Sequence, residues 1–243
     1  MRQLFFLFFI SVFIGSCSRE KAADAGNKIP YLYDSVNVCD VYPFPGDTCF
    51  VLIHGGAWEG GDKSNFYHSP EIFETYHRAA CNMNYTVNKK YCGDLNKKEV
   101  KNCLDFLSSR FQYKKFVLAG LSAGSTIAMD YAYHTADARV AGVVCLGTIG
   151  DLTKNANSKV LFNAGYAYKD VVASSPINAT AFCKTLFVHG NTDDISFPVQ
   201  SADMNTKLKA SGCPSMLMYK DRGHWFDEEV LREVFTFSVG YFQ

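Results

Sequence analysis

The sequence predicts an α/β fold, a mostly parallel central sheet covered by helices on both faces. Three observations predict it. From residue 30 onward, short apolar runs rich in β-branched and aromatic residues alternate with longer segments of helical character, the order expected of strand–helix–strand crossovers. The chain is 48% hydrophobic and 15% aromatic, enough to bury a sizeable core and to exclude disorder, and residues 30–243 fit one domain. Its chemistry-bearing motifs all follow strand-like runs, at the carboxyl ends where open α/β sheets place their ligands.

The elements run as follows. Residues 36–42 and 48–53 read as strands separated by the loop Pro43-Phe44-Pro45-Gly46-Asp47. A helix is expected over 70–80 and a strand over 81–87. Residues 95–111 read as a helix with Val100, Leu104 and Leu107 on one face. The run 116–119 has the length and character of a buried strand, and the small apolar residues 123–129 start a helix. Strands follow at 140–146, 185–188 and 215–219, with helices at 198–210 and 227–237.

The first residues stand apart. Arg2 supplies a positive start and 4–14 is a Phe-rich apolar run too short to span a bilayer, which reads as an export signal. It ends in Phe13-Ile14-Gly15-Ser16-Cys17, a pattern that resembles the lipobox of bacterial lipoproteins. That resemblance implies a signal peptide over 1–16, lipidation of Cys17 and anchoring in the bacterial cell envelope. The alternative is an ordinary signal peptide cut near Ser16 or Ser18. Residues 17–29 are polar, small and without hydrophobic period, so they read as a tether.

The formal net charge is zero, with no basic cluster, so nothing points to nucleic acid. Of nine cysteines, eight follow Cys17, and an exported chain can oxidise them. Cys103 and Cys145 occupy positions suited to small core hydrophobes, and no Cys/His spacing suggests zinc. One or two disulfides are expected, with unreadable connectivity.

Gly120-Leu121-Ser122-Ala123-Gly124 lies between a strand and a helix, the context that gives G-x-S-x-G its meaning. A sharp turn there lifts the Ser122 hydroxyl above the sheet at a helix N-terminus, where unpaired amides favour an anion. Ser125 stands where a further glycine is common. His54-Gly55-Gly56-Ala57-Trp58 directly follows another strand, and its glycines let the backbone turn its amides inward.

Together with Gly61-Asp62-Lys63, these motifs resemble the α/β-hydrolase superfamily, particularly small carboxylesterases and hormone-sensitive-lipase-like members. Asp40-Val41-Tyr42, Asn84-Tyr85, Gly150-Asp151-Leu152-Thr153 and Ser175-Pro176-Ile177 resemble that group as well. The resemblance implies an α/β-hydrolase fold with little or no lid and Ser122 as nucleophile. It places the oxyanion hole at the amides of Gly56, Ala57 and Ala123, with His54 bracing their loop. Gly223-His224-Trp225 matches the loop of the family's catalytic histidine, and a histidine can take the serine proton and return it near neutral pH.

The acid is Asp193 or Asp194. Asp193 has the usual separation from His189-Gly190 and Asp194 the usual separation from Pro198. Because the strand end fixes where the loop begins, Asp193 is preferred. His189 is expected to hold its own turn, and His68, His77 and His134 to lie at the surface. Trp58, Trp225, Phe162 and Tyr166 are candidates to line a substrate pocket left open by the short, polar segment 153–181.

The implied activity is hydrolysis of carboxylic esters through an acyl-Ser122 intermediate, on short-chain or on glycan- or aryl-linked acyl esters, with no cofactor or metal. A serine amidase or peptidase of the same fold is the enzymatic alternative, and an inactive envelope binding protein is the alternative of another class.

Overall fold

Eight strands form one sheet in the computed structural model, which describes residues 29–66, 69–87, 93–154 and 166–243. The export signal, Cys17, nearly all of the tether, His68, Cys92 and Phe162 lie outside the described residues. In chain order the strands are β1 (Ile29–Leu32), β2 (Val38–Tyr42), β3 (Thr48–Ile53), β4 (Ala79–Met83), β5 (Lys115–Leu121), β6 (Val140–Leu146), β7 (Thr185–Gly190) and β8 (Ser215–Lys220). They lie side by side in the order β1-β2-β4-β3-β5-β6-β7-β8. The pairs β1–β2 and β2–β4 are antiparallel, and every later neighbour is parallel.

The described helices are α1 (Ser69–Thr75), α2 (Gly93–Phe111), α3 (Ala123–Thr135), α4 (Tyr168–Ser174), α5 (Val199–Ala210) and α6 (Glu228–Tyr241). None of them is long and apolar enough to cross a membrane.

Each central strand feeds two cores by alternation. Val51, Ile53, Phe116, Leu118, Val143 and Phe187 join one apolar cluster with Val100 and Leu104 of α2, Ile127 of α3 and Leu208 of α5. Phe50, Leu52, Val117, Ala119, Val144 and Val188 join the other, with Phe73 of α1 and Val234 and Phe235 of α6. Strands buried on both faces must be continuously apolar, which is why these runs carry no polar alternation.

Several boundaries differ from expectation; α6 runs on to Tyr241, and the changes at α1 and β4 have a clear cause. The helix expected over 70–80 ends at Thr75, and β4 runs from Ala79 to Met83 rather than over 81–87. The amide of Arg78 returns to Phe73 O, and His77 takes a positive φ of 56° that stops the helix. Ala79 and Ala80 have little strand preference of their own. They become strand because β3 pairs with both and β2 with Ala80, so tertiary pairing overrides local propensity. The four-residue edge strand β1, which contains a proline, carries too short a signal to read.

The expected disulfides are not found among the described cysteines. Cys39, Cys49, Cys81, Cys103 and Cys145 are free and buried, and Cys183 and Cys213 are free and partly buried. The first five point into the apolar cluster under α2, α3 and α5, where a thiol serves as a small hydrophobe.

Candidate active site

The turn from β5 into α3 holds Ser122 at φ 53° and ψ −117°, a sparsely populated region for a residue with a side chain. The Ser122 amide donates to Leu146 O at 2.8 Å, and Ser125 Oγ donates back to Ser122 O at 2.6 Å. The residue in place of a further glycine thus braces the turn. A methyl group on Gly120 would sit 2.1 Å from Gly124 O, and one on Gly124 would sit 2.1 Å from Ile53 O. Only glycine at both positions lets β5, α3 and the end of β3 approach this closely.

His224 stands on the loop between β8 and α6, and it is buried. Its Nε2 is 2.9 Å from Ser122 Oγ and its Nδ1 is 2.8 Å from Asp193 Oδ2. A carboxylate only accepts, so Nδ1 carries the proton and Nε2 is left to accept from the serine hydroxyl. Gly147, at the end of β6 with φ +57°, makes room for the ring, since a methyl group there would lie 3.2 Å from His224 Cε1.

Asp193 is buried three residues past β7, and Asp194 is exposed. Asp193 Oδ1 accepts the amides of Ile195 at 2.9 Å and Ser196 at 2.8 Å. Burial opposes its ionisation, but hydrogen bonds from His189, His224 and the Ser196 amide outweigh burial and hold the carboxyl well below the usual range. Of the two candidate aspartates, only Asp193 touches His224.

The His54–Trp58 loop lies against the serine turn. A methyl group on Gly55 would sit 3.3 Å from Ser122 Cβ. Gly56 has φ +118° and Gly61 φ +94°; the amides of Glu59 and Gly60 both donate to Gly56 O, closing the loop on itself. Ala57 and Trp58 also have positive φ, so the strain is concentrated beside the serine. Ala123 is the first residue of α3, where an amide has no intrahelical acceptor. His54 Nδ1 lies 2.7 Å from Gly55 O, and its ring stacks on Tyr85 at 4.3 Å. Burial pushes its pKa down, which suits a bracing group.

The motifs scattered through the chain meet in two groups, one around Lys63 and one around Gln200. Lys63 Nζ donates to the buried Asp40 at 2.8 Å, and the Lys63 amide donates to Asn84 Oδ1 at 2.6 Å. Asn84 Nδ2 in turn donates to Asp62 Oδ2 at 2.9 Å. The Gly150–Asp151 segment is held by Gln200 Oε1, and Ser175 Oγ accepts the Leu152 amide.

The aromatic candidates divide. Trp225 is 63% exposed with its ring 5.1 Å from that of His224. Trp58, at 2%, is packed in the core under the loop. Tyr166 lines a cavity of about 520 Å³ with Lys97, His134 and Asp170. His134 is twelve residues along α3 from Ser122, a rise of about 18 Å, so this cavity is away from the serine.

His77 and His134 are exposed, as expected. What sequence reasoning missed is that His189 reaches Asp193 itself, with Nε2 3.2 Å from Oδ2. The His-Gly step before the aspartate was the available signal.

No family model matches this sequence, and no curated protein matches it. Solved structures do. A truncated form of a carbohydrate esterase from gut microbiota superposes with a TM-score of 0.74 at 16% identity, covering 91% of this chain and 99% of that one. The fold is shared with esterases. An esterase/lipase from an uncultured bacterium gives 0.72 at 17% identity, covering 91% and 87%. Thermogutta terrifontis esterase 2, phosphoramylated by tabun, gives 0.70 at 17% identity, covering 90% and 97%. At these identities the likeness is one of architecture, a mostly parallel eight-stranded α/β sheet.

Proposed function

We propose that this protein is a serine esterase that hydrolyses carboxylic esters, with acyl groups carried on carbohydrates as the favoured substrates. The observation that carries the reading is the hydrogen-bonded chain from Ser122 through His224 to Asp193, set beside a loop of strained, glycine-shaped backbone. Ser122 Oγ attacks the acyl carbonyl while His224 Nε2 takes its proton. The tetrahedral oxyanion is received by the amides of Gly56, Ala57 and Ala123, and Asp193 stabilises the imidazolium. His224 then returns the proton to the departing alcohol. Water activated by the same imidazole cleaves acyl-Ser122.

The carbohydrate preference rests on two supports. Trp225 presents an exposed indole beside the base, a flat apolar surface of the kind that packs against a sugar ring. One structural neighbour is named a carbohydrate esterase. The chain is further proposed to be an envelope lipoprotein held by Cys17, which would keep the enzyme beside exogenous glycans.

Turnover of acetylated and feruloylated oligosaccharides, measured against p-nitrophenyl acyl esters and anilides, tests the substrate reading. Higher kcat/KM on the acylated oligosaccharides, lowered by Trp225→Ala, is expected. Preference for the anilides would instead favour an amidase of the same fold.

A further inference from the structure

Cysteine is used in two ways in this core. Cys49 and Cys145 are buried in the apolar cluster and belong to no group of three ligating side chains among the described residues, so they serve as small hydrophobes. Cys39, Cys81 and Cys103 do not. They come from β2, β4 and α2, and their Sγ atoms all lie within 4.8 Å of one another, with Cys81 and Cys103 at 4.0 Å. All three side chains are fully buried. The spacing in sequence, 42 and then 22 residues, hides the cluster from any motif search. Only the pairing of β2 with β4 and the packing of α2 across them bring the thiols together.

We propose that Cys39, Cys81 and Cys103 form a three-thiol site for a soft cation, Cu(I), which would staple α2 to the β2–β4 side of the sheet. Three sulfurs around a trigonal centre at a metal–sulfur distance of about 2.3 Å stand about 4.0 Å apart. The Cys81–Cys103 pair already has that spacing, and the widest separation closes by less than an ångström. Thiolates select soft cations, and no fourth His, Cys, Asp or Glu ligand joins the cluster among the described residues. A three-coordinate site suits Cu(I) and leaves Zn²⁺ one ligand short of its tetrahedron.

When Cu⁺ binds, three S–H bonds break and the three protons leave to solvent, each thiolate sulfur donates a lone pair to the metal, and no electron is transferred.

The test uses the full chain, loaded anaerobically with the Cu(I)–acetonitrile complex, desalted, and assayed for bound copper and for sulfur neighbours by X-ray absorption. About one copper per chain with three sulfurs near 2.3 Å is expected, together with a raised melting temperature, because a cation that binds only the folded state stabilises it. Cys103→Ala and Cys39→Ser should each lose the copper, whereas Cys145→Ala should keep it. The two variants are on different elements, so a folding defect in one leaves the other to decide. Copper absent from the wild-type chain, copper retained by both cluster variants, or a site filled preferentially by Zn²⁺ with four ligands would each overturn the proposal.

Discussion

His189 Nε2 lies 3.2 Å from Asp193 Oδ2, the same oxygen that His224 Nδ1 meets at 2.8 Å. His189 Nε2 also faces the carbonyl oxygen of Ser196, which can only accept, so Nε2 is the protonated nitrogen. Its Nδ1 then accepts from Ser201 Oγ at 2.6 Å. The Ser196 carbonyl thus fixes the tautomer of a buried imidazole that shares the carboxylate with His224, and Ser201 on α5 satisfies its other nitrogen.

Removing that second donor should leave Asp193 a stronger partner for His224. In His189→Phe the acid limb of the kcat/KM profile should move to higher pH, with kcat reduced about tenfold, or about 1.4 kcal/mol. Ser201→Ala should move the limb the same way by less. A drop in activity with no movement of the limb would show that His189 only shapes the turn.

The two aspartates can be separated by charge removal alone. Asp193→Asn should lower kcat by about 10⁴-fold, because asparagine no longer supports the productive histidine tautomer. Exposed Asp194→Asn should change kcat by less than about twofold, in line with surface substitutions generally. Steady-state kinetics on one p-nitrophenyl ester suffices, and a large loss at Asp194 would reverse the assignment.

Asp193 also predicts a pH dependence of stability. Its folded carboxyl titrates below its unfolded value, so its contribution is fully present above about pH 4. The contribution is lost as pH falls through the depressed folded value. The melting-temperature gap between wild type and Asp193→Asn should therefore be flat from pH 7 to 5 and shrink below about pH 4. A gap that widens on acidification would contradict the depressed carboxyl.

Sequence revealed the parts of this molecule that local chemistry dictates. The serine turn, the glycine-shaped loop after His54 and the strands buried on both faces follow from steric need and from apolar runs, so they are visible residue by residue. The choice between Asp193 and Asp194 was open because two anchors gave different spacings, and burial on one side of the loop separates them in space. The start of β4 at Ala79, the link from His189 to Asp193 and the meeting of three cysteines depend on which elements become neighbours. Trp58 illustrates the same limit, since a tryptophan after the glycine loop gives no sign of whether it faces substrate or core.

The proposed envelope anchoring rests on Cys17. Cys17→Ala should shift the protein from the membrane fraction to the soluble fraction or leave it unprocessed, because stable anchoring needs more than one acyl chain. Labelled fatty acid incorporated equally by the variant would refute lipidation at this residue.

The central claim is that Ser122 is a working nucleophile activated by His224. The most direct measurement is intact-protein mass after exposure to a fluorophosphonate, followed by peptide mapping. A single phosphonyl adduct on Ser122, absent from Ser122→Ala and much slower to form in His224→Ala, is the predicted result. A folded wild-type chain that stays unmodified, or a Ser122→Ala variant modified at the same rate, would contradict it.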